Sequence, residues 1–294
     1  MNLRFEPQVR ELLHGAIDIH IHSAPDVYPR ILNDIELARL AQAVGMRAIV
    51  IKNHFAPTAG RASLAGDETG FAVFGSITLN HPVGGLNPHA VHIALEMGAK
   101  VVWLPTLHTA KFLENRSHVQ SLSAGLGDDV EPIHLLDEEG GLNPQVLRII
   151  DQVAAAGAVL ATGHVSFDEA CAVVRQAAAR GVKTIVTHPL ASFVGYGVEQ
   201  MIEILDLGAT WLEHAYNDTT RQVSHPIPVR ALYDGIKAVG AARCIMSSDA
   251  GQWLNPIPVQ QLAIYMQDML HLGLSPREIR TMTAENPARA LGID

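Results

Sequence analysis

Four short stretches of this chain carry side chains able to grip a metal ion. Asp18-Ile19-His20-Ile21-His22 stands near the start. His164 in Thr-Gly-His, His188 in Thr-His-Pro and Asp249 in Ser-Ser-Asp-Ala-Gly follow far downstream. Each stretch ends or follows a short apolar run that reads as a β-strand. Side chains two apart on a strand share one side, so His20 and His22 are expected to project together. Imidazole and carboxylate suit zinc and its first-row neighbours. An ion held this way with one position open lowers the pKa of bound water toward about 7. Asp249 could take that water's proton and later pass it to a leaving group.

The elements that must position these groups follow a repeated pattern of helix, glycine and strand. Gly45, Gly98, Gly157, Gly181, Gly208 and Gly240 each follow an Ala- or Leu-rich amphipathic segment and precede an apolar run. Six expected strands are Arg47–Ile51, Lys100–Leu104, Ala158–Ala161, Lys183–Thr187, Ala209–Leu212 and Arg243–Ser247; Ala16–His20 and Phe71–Leu79 bring the number to eight. Asn33 with Glu36, and Ser166 with Glu169, have capping-box spacing and mark helix starts. After Ser166, the positions Ala170, Val173, Val174 and Ala177 keep a helical period. Strands alternating with helices along the whole chain imply a parallel sheet. Eight such units suggest a closed (β/α)8 TIM-like barrel forming one domain over residues 1–294. No GxGxxG follows the first strand and there is no P-loop, which argues against an open, doubly wound sheet.

One stretch breaks the rhythm. Residues 107–144, after the fourth strand, are expected to form an insertion over the catalytic end of the barrel, as a lid or substrate loop. They include Lys111, Arg116, His118 and a strand-like run, Pro132–Leu136. Residues 54–70, rich in Gly, Ala and Thr, read as a mobile loop.

In a (β/α)8 barrel the C-terminal strand ends converge on one face. His20, His22, His164, His188 and Asp249 can therefore meet despite their separation, with Asp249 and His188 as catalytic candidates. The set resembles that of the amidohydrolase superfamily of metal-dependent hydrolases: His20 and His22 on strand one, His164 on strand five, His188 on strand six and Asp249 on strand eight. Thr283–Ile293 also resembles that superfamily's closing helix. The resemblance implies His20, His22 and His164 as ligands, Asp249 as ligand and general base, and His188 as holder of a second metal or orienter of the water. Many binuclear members carry a bridging carboxylated lysine or a glutamate at the end of strand four. Here that strand ends Trp103-Leu104-Pro105-Thr106, which favours a mononuclear site. Lys52, ending strand two, is a further candidate ligand, and Glu213 ends strand seven. His54, His108, Glu213 and Arg30 are candidates for substrate contact, while His89 and His92, three apart on a helix, fit a solvated face.

The implied cofactor is a divalent metal, zinc first, with Fe, Mn, Ni or Co as alternatives, at one or two per chain. The implied reaction is hydrolysis of a small-molecule amide, lactone, ester or ring C–N bond. Three alternatives stand beside it. The string Asp18–Ser23 fits the first motif of polymerase-and-histidinol-phosphatase-like phosphoesterases, although Asp249 is followed by Ala250-Gly251 where that family usually has a histidine two residues on. A decarboxylase on the same scaffold would release carbon dioxide. A barrel that binds metal and ligand without turnover is the non-enzymatic option.

Bulk properties exclude some partners. Net charge is −9 with no basic stripe, so nucleic acid is not expected. No apolar stretch has the roughly 18 residues of a membrane span, and Met1–Ala16 lacks the apolar region of a signal peptide. Cys171 and Cys244 suggest no disulfide framework, which fits a reducing, cytoplasmic setting. Exposed barrel helices leave a homo-oligomer open.

Overall fold

The computed structural model describes residues 5–119 and 129–294. Eight parallel strands lie in chain order: β1 (Ile17–Ile21), β2 (Ala48–Ile51), β3 (Ala72–Thr78), β4 (Ala99–Trp103), β5 (Val159–Ala161), β6 (Thr184–Val186), β7 (Trp211–Ala215) and β8 (Cys244–Ser247). The ring closes beyond the end of β8, where Asp249 N–H donates to the His20 carbonyl at 2.9 Å and His22 N–H donates to the Ala250 carbonyl at 2.8 Å. This is the expected (β/α)8 TIM barrel. Among the described residues no helix is long and apolar enough to cross a membrane.

Period two governs most strands. Ala48 and Val50, Val101 and Trp103, Val159 and Ala161, Ile185, Trp211 and Ile245 fill the barrel interior. Their neighbours Ile49, Val102, Leu160, Val186, Leu212 and Met246 pack outward against helices. β1 departs from this. Ile17 and Ile19 lie in the interior cluster while Ile21 lies in an outer one, and the pairing register with β2 shifts between Asp18 and Ile21. Short helix Asn286–Leu291 reaches the interior through Ala288, Ala290 and Leu291. Asn286 ties it to β8 by donating to the Cys244 carbonyl at 2.8 Å.

The helix starts follow their sequence signals. Asn33 and Glu36 bond reciprocally at 2.9 Å in each direction, opening Asp34–Ala43. Ser166 and Glu169 do the same for Phe167–Ala179, whose Ala170, Val173, Val174 and Ala177 are all buried. Each such valine contributes roughly 1.5–3 kcal/mol when fully buried.

Three local expectations are corrected. Residues 59–69 form a helix, Ala59–Thr69, with Ala59, Ala62 and Ala65 buried. Gly60 and Gly66 lower its intrinsic propensity, which is why the segment read as a loop; tertiary packing overrides that cost. The packing is close: a side chain at Gly75 on β3 would collide with the Ala59 backbone. The run 132–136 keeps its alternation, with Ile133 and Leu135 buried, but forms only isolated bridges. Its amides go elsewhere, Ile133 N–H to the His108 carbonyl at 2.7 Å and Leu135 N–H to Glu169 Oε1 at 2.9 Å. β7 begins two residues later than expected and runs on through Glu213 and His214. Ala209 instead ends the preceding helix, donating to the Ile204 carbonyl at 3.1 Å. Of the expected insertion, residues 120–128 lie outside the described residues.

Candidate metal and catalytic site

The closing contact between β8 and β1 also builds the site. It lays Asp249 against His20 and His22, and it needs unusual backbone. Asp249 has φ 47° and His188 has φ 22°, the two non-glycine residues with positive φ among those described. Such conformations cost of order 1–3 kcal/mol and concentrate at functional sites. Gly251, at φ 130°, follows so closely on the His22 carbonyl that any side chain there would collide with it.

Five side chains converge at the C-terminal mouth of the barrel, all buried. Asp249 Oδ1 lies 3.1 Å from both His20 Nε2 and His22 Nε2. Ligand atoms of His20, His22 and Asp249 fall within 4.8 Å of one another, as do those of His188, Asp218 and Asp249. His164 Nε2 and His188 Nε2 are 3.0 Å apart. Asn217 Nδ2 donates to the other Asp249 oxygen at 3.2 Å.

Behind these groups stand residues that fix the ring orientations. Glu213 Oε1 accepts from His20 Nδ1 at 2.7 Å and from the Ser247 hydroxyl at 2.6 Å. Asp218 accepts from His188 Nδ1 at 3.0 Å. A carboxylate on Nδ1 leaves Nε2 free to ligate and raises its basicity, so His20 and His188 both fit a metal. His22 differs, because its Nδ1 faces Arg30 Nη2 at 3.2 Å. Lys52 Nζ reaches His20 Nε2 at 2.9 Å and sits 5.3 Å from the centre of the Trp103 ring. His54 stacks on His22 with ring centres 4.9 Å apart and bonds Thr106 Oγ1 through Nδ1 at 3.0 Å.

Burial and pairing set the charges. Burial alone would raise Glu213, but His20, His188 and the Ser247 hydroxyl draw it down to about 2. Burial is likewise outweighed at Asp249, which the three facing histidines His20, His22 and His188 hold well below the carboxylate range. The carboxylate of Asp218 outweighs burial at His188 and raises it. Burial dominates elsewhere: it lowers Lys52 to about 8 and depresses His22, His54 and His164.

A small cavity of about 20 Å³ opens onto these groups, lined by Lys52, His54, His164, His188, Asp249, Asn217 and Gln252 together with Val119, Phe193, Gln222 and Val223. The remaining sequence candidates sit further back. Glu213 is fully buried behind His20. Arg30 lies behind His22, its Nε held by Asp26 at 2.7 Å. His108 is buried edge-on to His81, ring centres 4.7 Å apart, and burial lowers it to about 4. His89 and His92 are exposed. The sequence missed Asp218 and Asn217. A signal was available, since a histidine ligand needs a partner on its second nitrogen and a carboxylate follows β7 in the string Asn217-Asp218.

The fold has solved relatives. Over 97% of this chain and 96% of the other it is similar to the probable dipeptidase PvdM from Pseudomonas aeruginosa, with TM-score 0.66 and 12% identity. It is similar to a probable 2-pyrone-4,6-dicarboxylic acid hydrolase from Acinetobacter baumannii at TM-score 0.62 and 12% identity, covering 95% of this chain and 99% of that one. An amidohydrolase from Pseudomonas aeruginosa follows at TM-score 0.60 and 13% identity, covering 96% and 98%. No curated protein sequence matches. The Family of unknown function DUF6282 matches residues 15–212, and the chain belongs to it.

Proposed function

We propose that the protein is a metal-dependent hydrolase of the amidohydrolase superfamily, acting on an amide, lactone, ester or ring C–N bond of a small molecule. The observation that carries this is the pair of ligand groups that share Asp249, His20–His22–Asp249 and His188–Asp218–Asp249, with His164 3.0 Å from His188 and carboxylates behind His20 and His188. His20, His22, His164, His188 and Asp249 would hold a divalent ion, zinc in the first instance. When bound, such an ion polarises the scissile carbonyl and acidifies water. Solved neighbours named as hydrolases on the same barrel support the reading.

The chain's own residues supply the rest. Asp249 is kept ionised by the histidines around it, so it is ready to take the attacking water's proton and deliver it to the leaving group. Asn217 holds its second oxygen. Val119, Phe193 and Val223 give the cavity beside these polar groups an apolar wall. We extend the proposal to one domain over 1–294 with 107–144 as its lid. Val119 lines the cavity, and the His118 carbonyl accepts from Ser224 N–H at 2.7 Å, joining that segment to the loop after β7. The two free, buried cysteines accord with a cytoplasmic setting.

The test is turnover of a panel of lactones, esters and N-acyl amino acids by metal-loaded wild type and Asp249→Asn. Hydrolysis lost in the variant, with folding intact, is the expected result. Phosphate release from phosphomonoesters, or carbon dioxide release from carboxylic acids, without hydrolysis of the panel would replace the proposal.

A further inference from the structure

Asp249 is ligand and proton carrier in the reading above, and its backbone stands at a φ of 47°. A strained conformation of this kind persists only where its surroundings over-determine it. Behind the cavity a closed ring of hydrogen bonds holds both the backbone and the carboxylate of Asp249. Its role bears on how a metal ligand is presented, and so rests on the metal-dependent reading.

The ring has four members. Asn217 Nδ2 donates to Asp249 Oδ2 at 3.2 Å, the oxygen other than the one facing His20 and His22. Gln252 Nε2 donates to the Asp249 backbone carbonyl at 2.9 Å. Asn255 Nδ2 joins the two arms, donating to Asn217 Oδ1 at 2.7 Å and to Gln252 Oε1 at 3.0 Å. Asn217 stands in the turn after β7, and Gln252 and Asn255 in the loop after β8. All three amides are buried.

Chemistry allows this ring one sense. An ionised carboxylate and a backbone carbonyl only accept. Asn217 and Gln252 must therefore turn their NH2 groups toward Asp249, and their amide oxygens point away from it. Those two oxygens need donors, and the two hydrogens of Asn255 Nδ2 meet both. The Thr220 hydroxyl does not replace Asn255 at Asn217. Its one hydrogen has a nearer acceptor in the Asn217 backbone carbonyl, at 2.9 Å against 3.2 Å for Oδ1. Without Asn255, each amide loses the bond that sets its orientation. An Asn217 or Gln252 turned the other way would set oxygen against oxygen at Asp249.

We propose that Asn255 is a positioning residue for Asp249, acting through Asn217 on the carboxylate and through Gln252 on the backbone. Asn217 and Gln252 line the cavity, whereas Asn255 stands behind them. Held at both ends, Asp249 keeps Oδ1 toward His20 and His22, the ligand pair of β1.

The test uses Asn255→Leu, which keeps the shape of the side chain but has no hydrogens to donate, together with Asn217→Ala and the double variant. Zinc affinity of each metal-free protein is read against a chromophoric chelator, with circular dichroism as the check on folding. It is paired with hydrogen exchange of the side-chain amides in metal-free wild type labelled with 15N at Asn and Gln, which needs no variant to fold. Asn255→Leu should weaken zinc binding about tenfold, the low end for partners that orient ligands. In the Asn217→Ala background the same change should cost no more than about threefold, because one arm is already gone. The NH2 groups of Asn217, Gln252 and Asn255 should exchange at least about tenfold more slowly than that of exposed Gln8. Zinc affinity within about twofold of wild type in Asn255→Leu, equal losses with and without Asn217, or exchange at Asn255 as fast as at Gln8 would overturn the inference while leaving a metal enzyme. Wild type that takes up no zinc, manganese, iron, cobalt or nickel would instead remove the metal-dependent reading, and this inference with it.

Discussion

Replacing Glu213 by Gln isolates a buried carboxylate that joins β7 to His20 on β1 and Ser247 on β8. Glu213 has no exposure, accepts from His20 Nδ1 and Ser247 Oγ at 2.7 and 2.6 Å, and has no partner on Oε2. Its folded-state pKa, about 2, lies below its ordinary 4.5. A depressed carboxylate stabilises the fold fully above its unfolded pKa, and the contribution is lost as the pH falls through 4.5 toward about 2. The interval corresponds to about 3 kcal/mol at neutral pH. The Glu213→Gln side chain would keep the shape but lose the charge, and would bring an N–H into the place where Oε2 has no partner, a cost of the same order. Urea unfolding of metal-free wild type and Glu213→Gln should differ by about 3 kcal/mol at neutral pH, and the gap should narrow by roughly 1 kcal/mol at about pH 3.5. A gap below about 1 kcal/mol at neutral pH, or one that widens in acid, would refute the assignment of Glu213 as an ionised partner of His20.

Other perturbations reach different parts of the account. Asp218→Asn removes the carboxylate behind His188 and should weaken zinc binding by roughly 10–100-fold in a chelator competition, with the fold retained by circular dichroism. Phe193→Ala removes a buried ring that packs on His164 and His188 with centres 5.0 and 5.2 Å away; a loss of about 3–5 kcal/mol is expected by chemical denaturation. Cys171 and Cys244 are buried, and burial raises both thiols. Neither should react with a thiol reagent in the native protein, and both should do so in urea.

The barrel was legible because its determinants are local. Asn33 with Glu36 and Ser166 with Glu169 state where helices begin, and the apolar runs before His188 and Asp249 state where strands end. The helix Ala59–Thr69 was not legible, because Gly60 and Gly66 weaken the local signal while the compensating contact, Ala59 against the bare backbone of Gly75, lies in another element. The end of β7 was hidden for a related reason. Glu213 and His214 look like the close of an apolar run, yet Glu213 Oε1 accepts inside the barrel from residues of β1 and β8. The converging histidines and Asp249 could be named from strand ends alone. The partners of their second nitrogens could not, because Arg30 beside His22 and Asp218 beside His188 are groups that only the folded loops bring into reach.

The most direct measurement is the metal content per chain of wild type purified without chelator, by plasma mass spectrometry. The account predicts about one equivalent of zinc or a first-row neighbour, removed by chelation and restored on reloading together with turnover. A chain that carries no metal and takes up none from zinc, manganese, iron, cobalt or nickel would contradict it.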